Sequence, residues 1–408
     1  MAVTRANYRS LSATQRKTYV DALLKLKKDG NPATGRNYDT YVNWHYQMMQ
    51  LPMSQMRAHM SPMFLPWHRE YLRLLELDLQ AVSGDSTLAI PYWNWADPTA
   101  GASESLWGDD FMGGNGRTSD FKVMTGPFAV DKGNWPIVYD DTGMLYLSRA
   151  FGSSAAAPGL PSQADVDSAL ALNTYDVDPW DMSADISVSF RNSLEGWGGS
   201  DPRLHNQVHV WVGGDYATMA MGASPNDPVF FLHHSNIDRL WAQWQDVSAS
   251  HTYLPVDEQP SRPGVSLHST MPLFPATVTT ADVLDYRALG YIYDTSTPSP
   301  ALHAPVSRQL FQRDFRQDFR FVPFRGLVQV PSFSRDIRPL FTDEDLKQMA
   351  FAFDLSNYAD VKANSEAIVN RIKRDKGDPM LMPPAPRGPW TTVQVRLFQD
   401  WISGGFRP

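Results

Sequence analysis

The sequence predicts a mainly α-helical protein: a central four-helix bundle around a two-metal site, long connecting loops, and a small helical domain at the C-terminal end. Three observations lead there. Two sets of histidines lie in helix-forming text, one between residues 45 and 68 and one between 205 and 234. Apolar residues in both regions recur at helical spacing. The text between them is rich in Gly, Ser, Asp and Pro, which favour turns and loops.

The elements follow in order. Residues 9–28, R-S-L-S-A-T-Q-R-K-T-Y-V-D-A-L-L-K-L-K-K, form an amphipathic helix whose closing lysines suit the negative end of its dipole. Gly30, Pro32 and Gly35 break it. A helix over residues 38–50 carries His45, and 51–58 connect it to a helix over residues 62–82, with Ser61 and Pro62 as its start signal. In that third helix Phe64, Trp67, Tyr71, Leu72, Leu75 and Leu79 repeat at helical spacing. His68 shares a face with Leu72 and Leu75, so its imidazole points inward. Residues 97–126 read as loop, 135–139 as strand-like, 166–173 as a short helix, and 181–203 as loop containing Glu195 and Trp197.

The stretch H-N-Q-V-H-V-W-V-G-G places His205 and His209 four apart, on one helix face. Gly213 and Gly214 end that helix with a left-handed cap. Asp227 reads as the next N-cap, with Pro228 at the first helical position. The helix that follows carries His233 and His234, with Asp238 one turn beyond His234. Neutral imidazoles suit copper, zinc, iron or nickel, so helices offering three of them to one point indicate a transition-metal site. Asp238 is expected to orient a ligand imidazole by accepting its free N–H; the competing role is an ion pair with Arg239 or Arg69. Phe230, one turn before His234, is expected to pack on a ligand ring. His251, His268 and His303 lie in loop text and read as surface residues.

Residues 59–76, H-M-S-P-M-F-L-P-W-H-R-E-Y-L-R-L-L-E, resemble the copper A signature of tyrosinases and related type 3 copper proteins. D-P-V-F-F-L-H-H-S-N-I-D, 227–238, resembles their copper B signature, and P-Y-W-N-W at 91–95, F-R-N-S-L-E-G-W at 190–197 and Y-I-Y at 291–293 resemble bacterial members. The resemblance implies two copper ions. His45, His59 and His68 would hold one, and His205, His209 and His234 the other, the second histidine of the pair being the ligand in that signature. It implies dioxygen and a phenolic small molecule as reactants, with monophenols hydroxylated and o-diphenols oxidised to o-quinones. In tyrosinases the residues matching Glu195 and Asn206 hold a water that takes the phenol proton; a phenol with pKa near 10 must lose it to bind copper well. Val210 leaves the pocket entrance apolar and open. The same six histidines would also serve a catechol or o-aminophenol oxidase without monophenol activity, or an oxygen carrier resembling hemocyanin. Arg57 stands where plant, fungal and molluscan relatives have a cysteine bonded to the second copper A ligand, so His59 is uncrosslinked.

Composition narrows the class further. With 42% hydrophobic and 20% charged residues, the 408-residue chain reads as a soluble globular protein. No apolar run reaches membrane-spanning length. A net charge of −8 and the lack of a basic aromatic stripe argue against nucleic acid. The absence of cysteine excludes disulfides, thiolate metal sites and thiol nucleophiles. The start, M-A-V-T-R-A-N-Y-R-S-L-S, lacks the apolar core of a secretory signal, so a cytoplasmic protein is expected. Met48, Met49, Met53, Met56, Met60 and Met63 crowd the copper A region; thioethers can carry Cu(I), but filling irregular core gaps is the favoured reading.

Two domains are expected, a catalytic copper domain over 1–297 and a C-terminal domain over 298–408, joined by T-S-T-P-S-P-A-L-H-A-P at 295–305. The second begins with S-R-Q-L-F-Q-R-D-F-R-Q-D-F-R-F and carries helical text near 342–353, 358–375 and 392–403. Its order of motifs resembles small cytochrome-c-like domains, but no C-x-x-C-H is present, which excludes covalent haem. Residues 306–408 hold 16 Lys+Arg against 12 Asp+Glu, a net of +4, so the rest of this −8 chain carries −12. Opposite signs favour docking in cis, and the segment is expected to act as a lid over the copper pocket. Phe311, Phe315, Phe319, Phe321 and Phe324 are candidates for a plug or for that domain's own core.

Overall fold

Several of the helices begin where a side-chain cap satisfies their first amides. The computed structural model describes residues 2–139, 145–199, 201–296, 332–349, 353–373, 390, 392–403 and 406–408. Ser12 accepts from the Gln15 amide and the Gln15 side chain returns to the Ser12 amide, so α1 runs Ala13–Asp29, later than the sequence alone suggests. Tyr8–Ser10 is a separate 3-10 turn. Asn37 and Thr40 cap α2, Tyr38–Met49, in the same reciprocal way. α3, Phe64–Ser83, ends at Gly84 with φ 73, a left-handed conformation that suits glycine. It is buried almost all round and packs against α1 and α7 (Val229–Val247).

Between them come α4, Gln163–Leu170, α5, Phe190–Glu195, and α6, Leu204–Gly213. α4 starts three residues before its expected position because Ser162 and Asp165 form a capping box. α5 lies where a loop was expected. Ser189 accepts from the Asn192 amide and Gly196 closes the helix at φ 97; six residues are too few to show a helical period. The strand-like reading of 135–139 is also corrected. That segment is pinned by side chains, Trp135 Nε1 donating to the Asn226 carbonyl at 2.9 Å and the Val138 amide to Asn226 Oδ1 at 3.0 Å.

The strands named among the described residues are β1, Val3–Arg5, and β2, Tyr291–Tyr293, which pair in parallel with Val3 opposite Tyr291. They tie the N-terminal residues to the segment after α7. His251 is buried, not superficial: Nδ1 bonds the Trp244 carbonyl at 2.6 Å and the ring stacks on that indole at 4.2 Å. Among the described residues no helix is long and apolar enough to cross a membrane.

The chain divides into two compact units, Met1–Arg308 and Gln309–Pro408. The expected boundary at 297/298 and the five phenylalanines from Phe311 to Phe324 lie outside the described residues. Within the second unit, α8, Asp343–Met349, α9, Tyr358–Ala363, α10, Ser365–Ile372, and α11, Thr392–Ser403, are helical. Phe333, Ile337, Phe341, Val361, Phe398 and Trp401 form its core. The single helix expected over 358–375 is two, divided at Asn364.

Candidate metal centre

Four helices and one loop bring the predicted imidazoles together. His45 comes from α2, His68 from α3, His205 and His209 from α6, His233 and His234 from α7, and His59 from the loop before α3. They form two clusters, His45, His59 and His68 in one and His205, His209, His233 and His234 in the other. Within each cluster, one candidate ligand atom per residue lies within 4.8 Å of every other. His68 and His234 stack at 4.2 Å between ring centres, so the clusters adjoin.

The backbone selects which nitrogen each ring presents. His45 Nδ1 bonds the Gly222 carbonyl at 2.7 Å, His68 Nδ1 the Phe64 carbonyl at 2.8 Å, and His209 Nδ1 the Met219 carbonyl at 2.7 Å. His205 Nδ1 faces the Glu195 carbonyl at 3.2 Å and Asn206 Oδ1 at 3.0 Å. These bonds place a proton on Nδ1 and leave the Nε2 lone pair for a metal. His45 Nε2 and His68 Nε2 are buried with no hydrogen-bond partner. His234 Nε2 lies 3.3 Å from both His205 Nε2 and His209 Nε2. Buried lone pairs without donors are costly unless a cation meets them, so the donor set fits metal ions. Burial, joined by neighbouring imidazoles, holds His59, His68, His205, His233 and His234 well below the usual histidine range. Burial lowers His45 to about 3 and His209 to about 4. All are neutral near pH 7, the form that ligates.

Phe230 stacks on His234 with ring centres 4.0 Å apart, as expected. Asp238 does not touch an imidazole. Its Oδ1 accepts from Arg69 Nε at 2.6 Å, and its Oδ2 from Arg5 at 3.1 Å and from the Tyr291 and Tyr293 hydroxyls at 2.6 Å each. The expectation that it orients a ligand is therefore corrected. One turn beyond His234 it faces the core behind the site, where two arginines and two hydroxyls take its capacity; Arg239 bonds Asn236 instead. Burial pushes the Asp238 carboxyl up, but Arg69, Arg5 and the two hydroxyls outweigh it and hold the group below the usual carboxylate range.

Glu195 ends α5, fully buried. Its carboxylate accepts from the Met60 amide at 2.6 Å and from Arg191 at 3.0 Å, and Arg191 also pairs with Asp176 at 2.7 Å. Burial outweighs Arg191 and raises the Glu195 carboxyl above the usual range. A Cβ on Gly196 would stand 1.9 Å from the Arg203 carbonyl, so only glycine lets the end of α5 lie against the start of α6. Strain collects at these joints. Met60, after His59, has φ 52, and Leu204, before His205, has φ 40. Asn206 is half-buried, its amide nitrogen without a partner.

A cavity of about 640 Å³ opens over both clusters, lined by His45, His59, His205 and His209 and flanked by Asn206 and Val210. Met49, Met60, Met219 and Met221 also line it, whereas Met48, Met56 and Met63 are buried in the protein. Sequence reasoning missed three bracing arginines, each distant from its partner or set in loop text. Arg5 and Arg191 are noted above. Arg149 holds Asp227 in two 2.7 Å bonds, while Asp227 Oδ1 accepts from the Val229 amide at the start of α7.

Comparison with known proteins matches residues 35–247, a span containing both clusters, to the common central domain of tyrosinase. The tyrosinase of Streptomyces antibioticus is 47% identical over 269 residues, covering 65% of this chain and 91% of its own. That of Streptomyces glaucescens is 45% identical over 294 residues, covering 71% and 98%. Grixazone synthase of Streptomyces griseus is 37% identical over 329 residues, covering 72% and 100%. With two imidazole clusters adjoining under one cavity and this degree of identity across them, the chain belongs to the tyrosinase family of binuclear copper phenol oxidases.

Proposed function

We propose that His45, His59 and His68 hold one copper and His205, His209 and His234 the other, and that the enzyme hydroxylates monophenols as well as oxidising o-diphenols to o-quinones. The observation that carries the reading is the set of Nδ1–carbonyl bonds that turn Nε2 of His45, His68 and His209 away from the backbone. Bound copper supplies the redox chemistry with dioxygen. The chain supplies the rest. The half-open cavity admits the ring, Val210 gives it an apolar wall, and the Asn206 amide, unpartnered beside His205, can hold the phenolic oxygen or a water on it. Glu195, raised by burial, sits in the layer behind and accepts the proton. Asn206→Leu is expected to lower monophenol turnover by about a hundredfold, at the low end of what proton transfer contributes, with a much smaller fall for catechols at saturating copper, because the Glu195 carbonyl still faces His205 Nδ1 at 3.2 Å. Equal losses on both substrates would show that Asn206 supports the site generally.

The C-terminal unit enters this reading as a lid over the pocket, supported by its net charge of +4 against −12 for the rest of the chain. Cleavage within 295–305 is expected to raise catechol turnover several-fold (about the inverse of the fraction of open molecules in the intact chain). A cleaved protein that binds copper normally and is no faster on small or bulky catechols removes the lid from the reading.

A further inference from the structure

The cavity above the imidazoles carries a charge asymmetry that phenol oxidation does not itself require. Among the described residues, the charged side chains that line it are Asp201 and Asp215, both exposed at its rim, and no Lys or Arg lines it. Tyr216 stands next to Asp215 with 69% of its surface exposed, and the half-buried Trp197 also lines the wall. Carboxylates and open aromatic faces are the groups that attract an ammonium, by direct charge and by the ring quadrupole. A cleft lined by one sign of charge also concentrates ligands of the other sign.

Geometry decides which part of a substrate meets this rim. A phenol that presents its oxygen to the imidazoles at the floor directs its para substituent toward the mouth. The volume, about 640 Å³, leaves room beyond one ring for a short side chain. The end of that side chain is thus directed toward the exposed part of the cavity wall, to which Asp201, Asp215 and Tyr216 contribute.

We propose that the pocket selects phenolic compounds whose para side chain ends in a protonated amine and discriminates against those ending in a carboxylate. This deepens the phenol-oxidase reading and rests on it. The test uses the copper-loaded full chain and three catechols of similar shape and different charge: dopamine, 4-ethylcatechol and 3-(3,4-dihydroxyphenyl)propionate. At low ionic strength, kcat/KM for dopamine is expected to exceed that for the propionate by about tenfold, as suits two partly screened charges near the ammonium. The ratio is expected to shrink with added salt and to fall to within about twofold in the Asp201→Asn, Asp215→Asn double variant. The 4-ethylcatechol value serves as the reference in every protein. Equal kcat/KM for cation and anion in the wild type, or a ratio that the double variant leaves unchanged, overturns the proposal. Failure of the phenol-oxidase reading itself looks different: 4-ethylcatechol, which carries no charge, is then not oxidised at all.

Discussion

His209→Ala is expected to bind one copper per chain instead of two and to oxidise no catechol. His209 is held at both ends of its ring, by the Met219 carbonyl at 2.7 Å and against His234 Nε2 at 3.3 Å. Its removal leaves a cluster short of one Nε2. Loss of a mere outer partner of a ligand already weakens metal binding by about tenfold to a hundredfold, so loss of the ligand costs more, and one copper cannot do the work of a pair. Copper analysis of dialysed protein beside a catechol assay reads both effects. Full activity in this variant would remove His209 from the ligand set. His233→Ala provides the contrast. His233 is fully buried in the same cluster with neither ring nitrogen hydrogen-bonded, but it is His234 whose Nε2 meets those of His205 and His209 at 3.3 Å. The His233 variant is expected to keep two coppers, and loss of one there would exchange the roles of His233 and His234.

Asp238→Ala is expected to unfold the protein easily while leaving the ligands' own geometry alone. The change strips the buried Arg69 and Arg5 of a shared partner, with side-chain exposures of 0% for both arginines and 2% for the aspartate. Breaking a buried pair from one side costs about 3–5 kcal/mol, which lowers the thermal midpoint by on the order of 10 °C. Glu76 remains for Arg5 at 3.0 Å, so Arg69 bears most of the loss. The pH dependence has a definite sign. Because the folded carboxyl is held below its ordinary range, its contribution is fully present above the unfolded value of about 3.9 and disappears as pH falls through the folded one. At low temperature, where the variant stays folded, copper content should match the wild type. A variant of normal stability that lost copper would return Asp238 to the role of ligand orienter.

The contrast between Phe230 and Asp238 shows how far the sequence reaches. Both sit one turn from His234 on α7. Helical spacing placed Phe230 on the His234 ring correctly, because neighbours on one helix face touch whatever else the fold does. The same spacing cannot reveal partners contributed by other elements, and Asp238 found Arg5, Arg69, Tyr291 and Tyr293. The histidines were legible from spacing and from their signatures. The atoms that orient four of them were not, since they are backbone carbonyls and one asparagine side chain; no residue type announces a carbonyl of Gly222 or Met219. Helix α5 escaped for a different reason, being shorter than two turns; Arg5 and Arg149 escaped because ion pairs distant in sequence leave no local pattern, and Arg191 because it lies in that same unread helix.

The pairing of β1 with β2 has a consequence for how such a molecule comes into being. Arg5 bonds Asp238 across 233 positions and the Tyr293 hydroxyl across 288. A ribosome therefore makes Arg5 long before Asp238 and Tyr293 exist. Closing so large a loop demands entropy up front, and contacts of this span slow the search for the native arrangement. Glu76 and Tyr92 are made early enough to meet the N-terminal segment, but β1 finds its strand partner only after both clusters of metal-binding helices have been made. The strand pair of the catalytic unit is thus closed with one partner made early and the other made late.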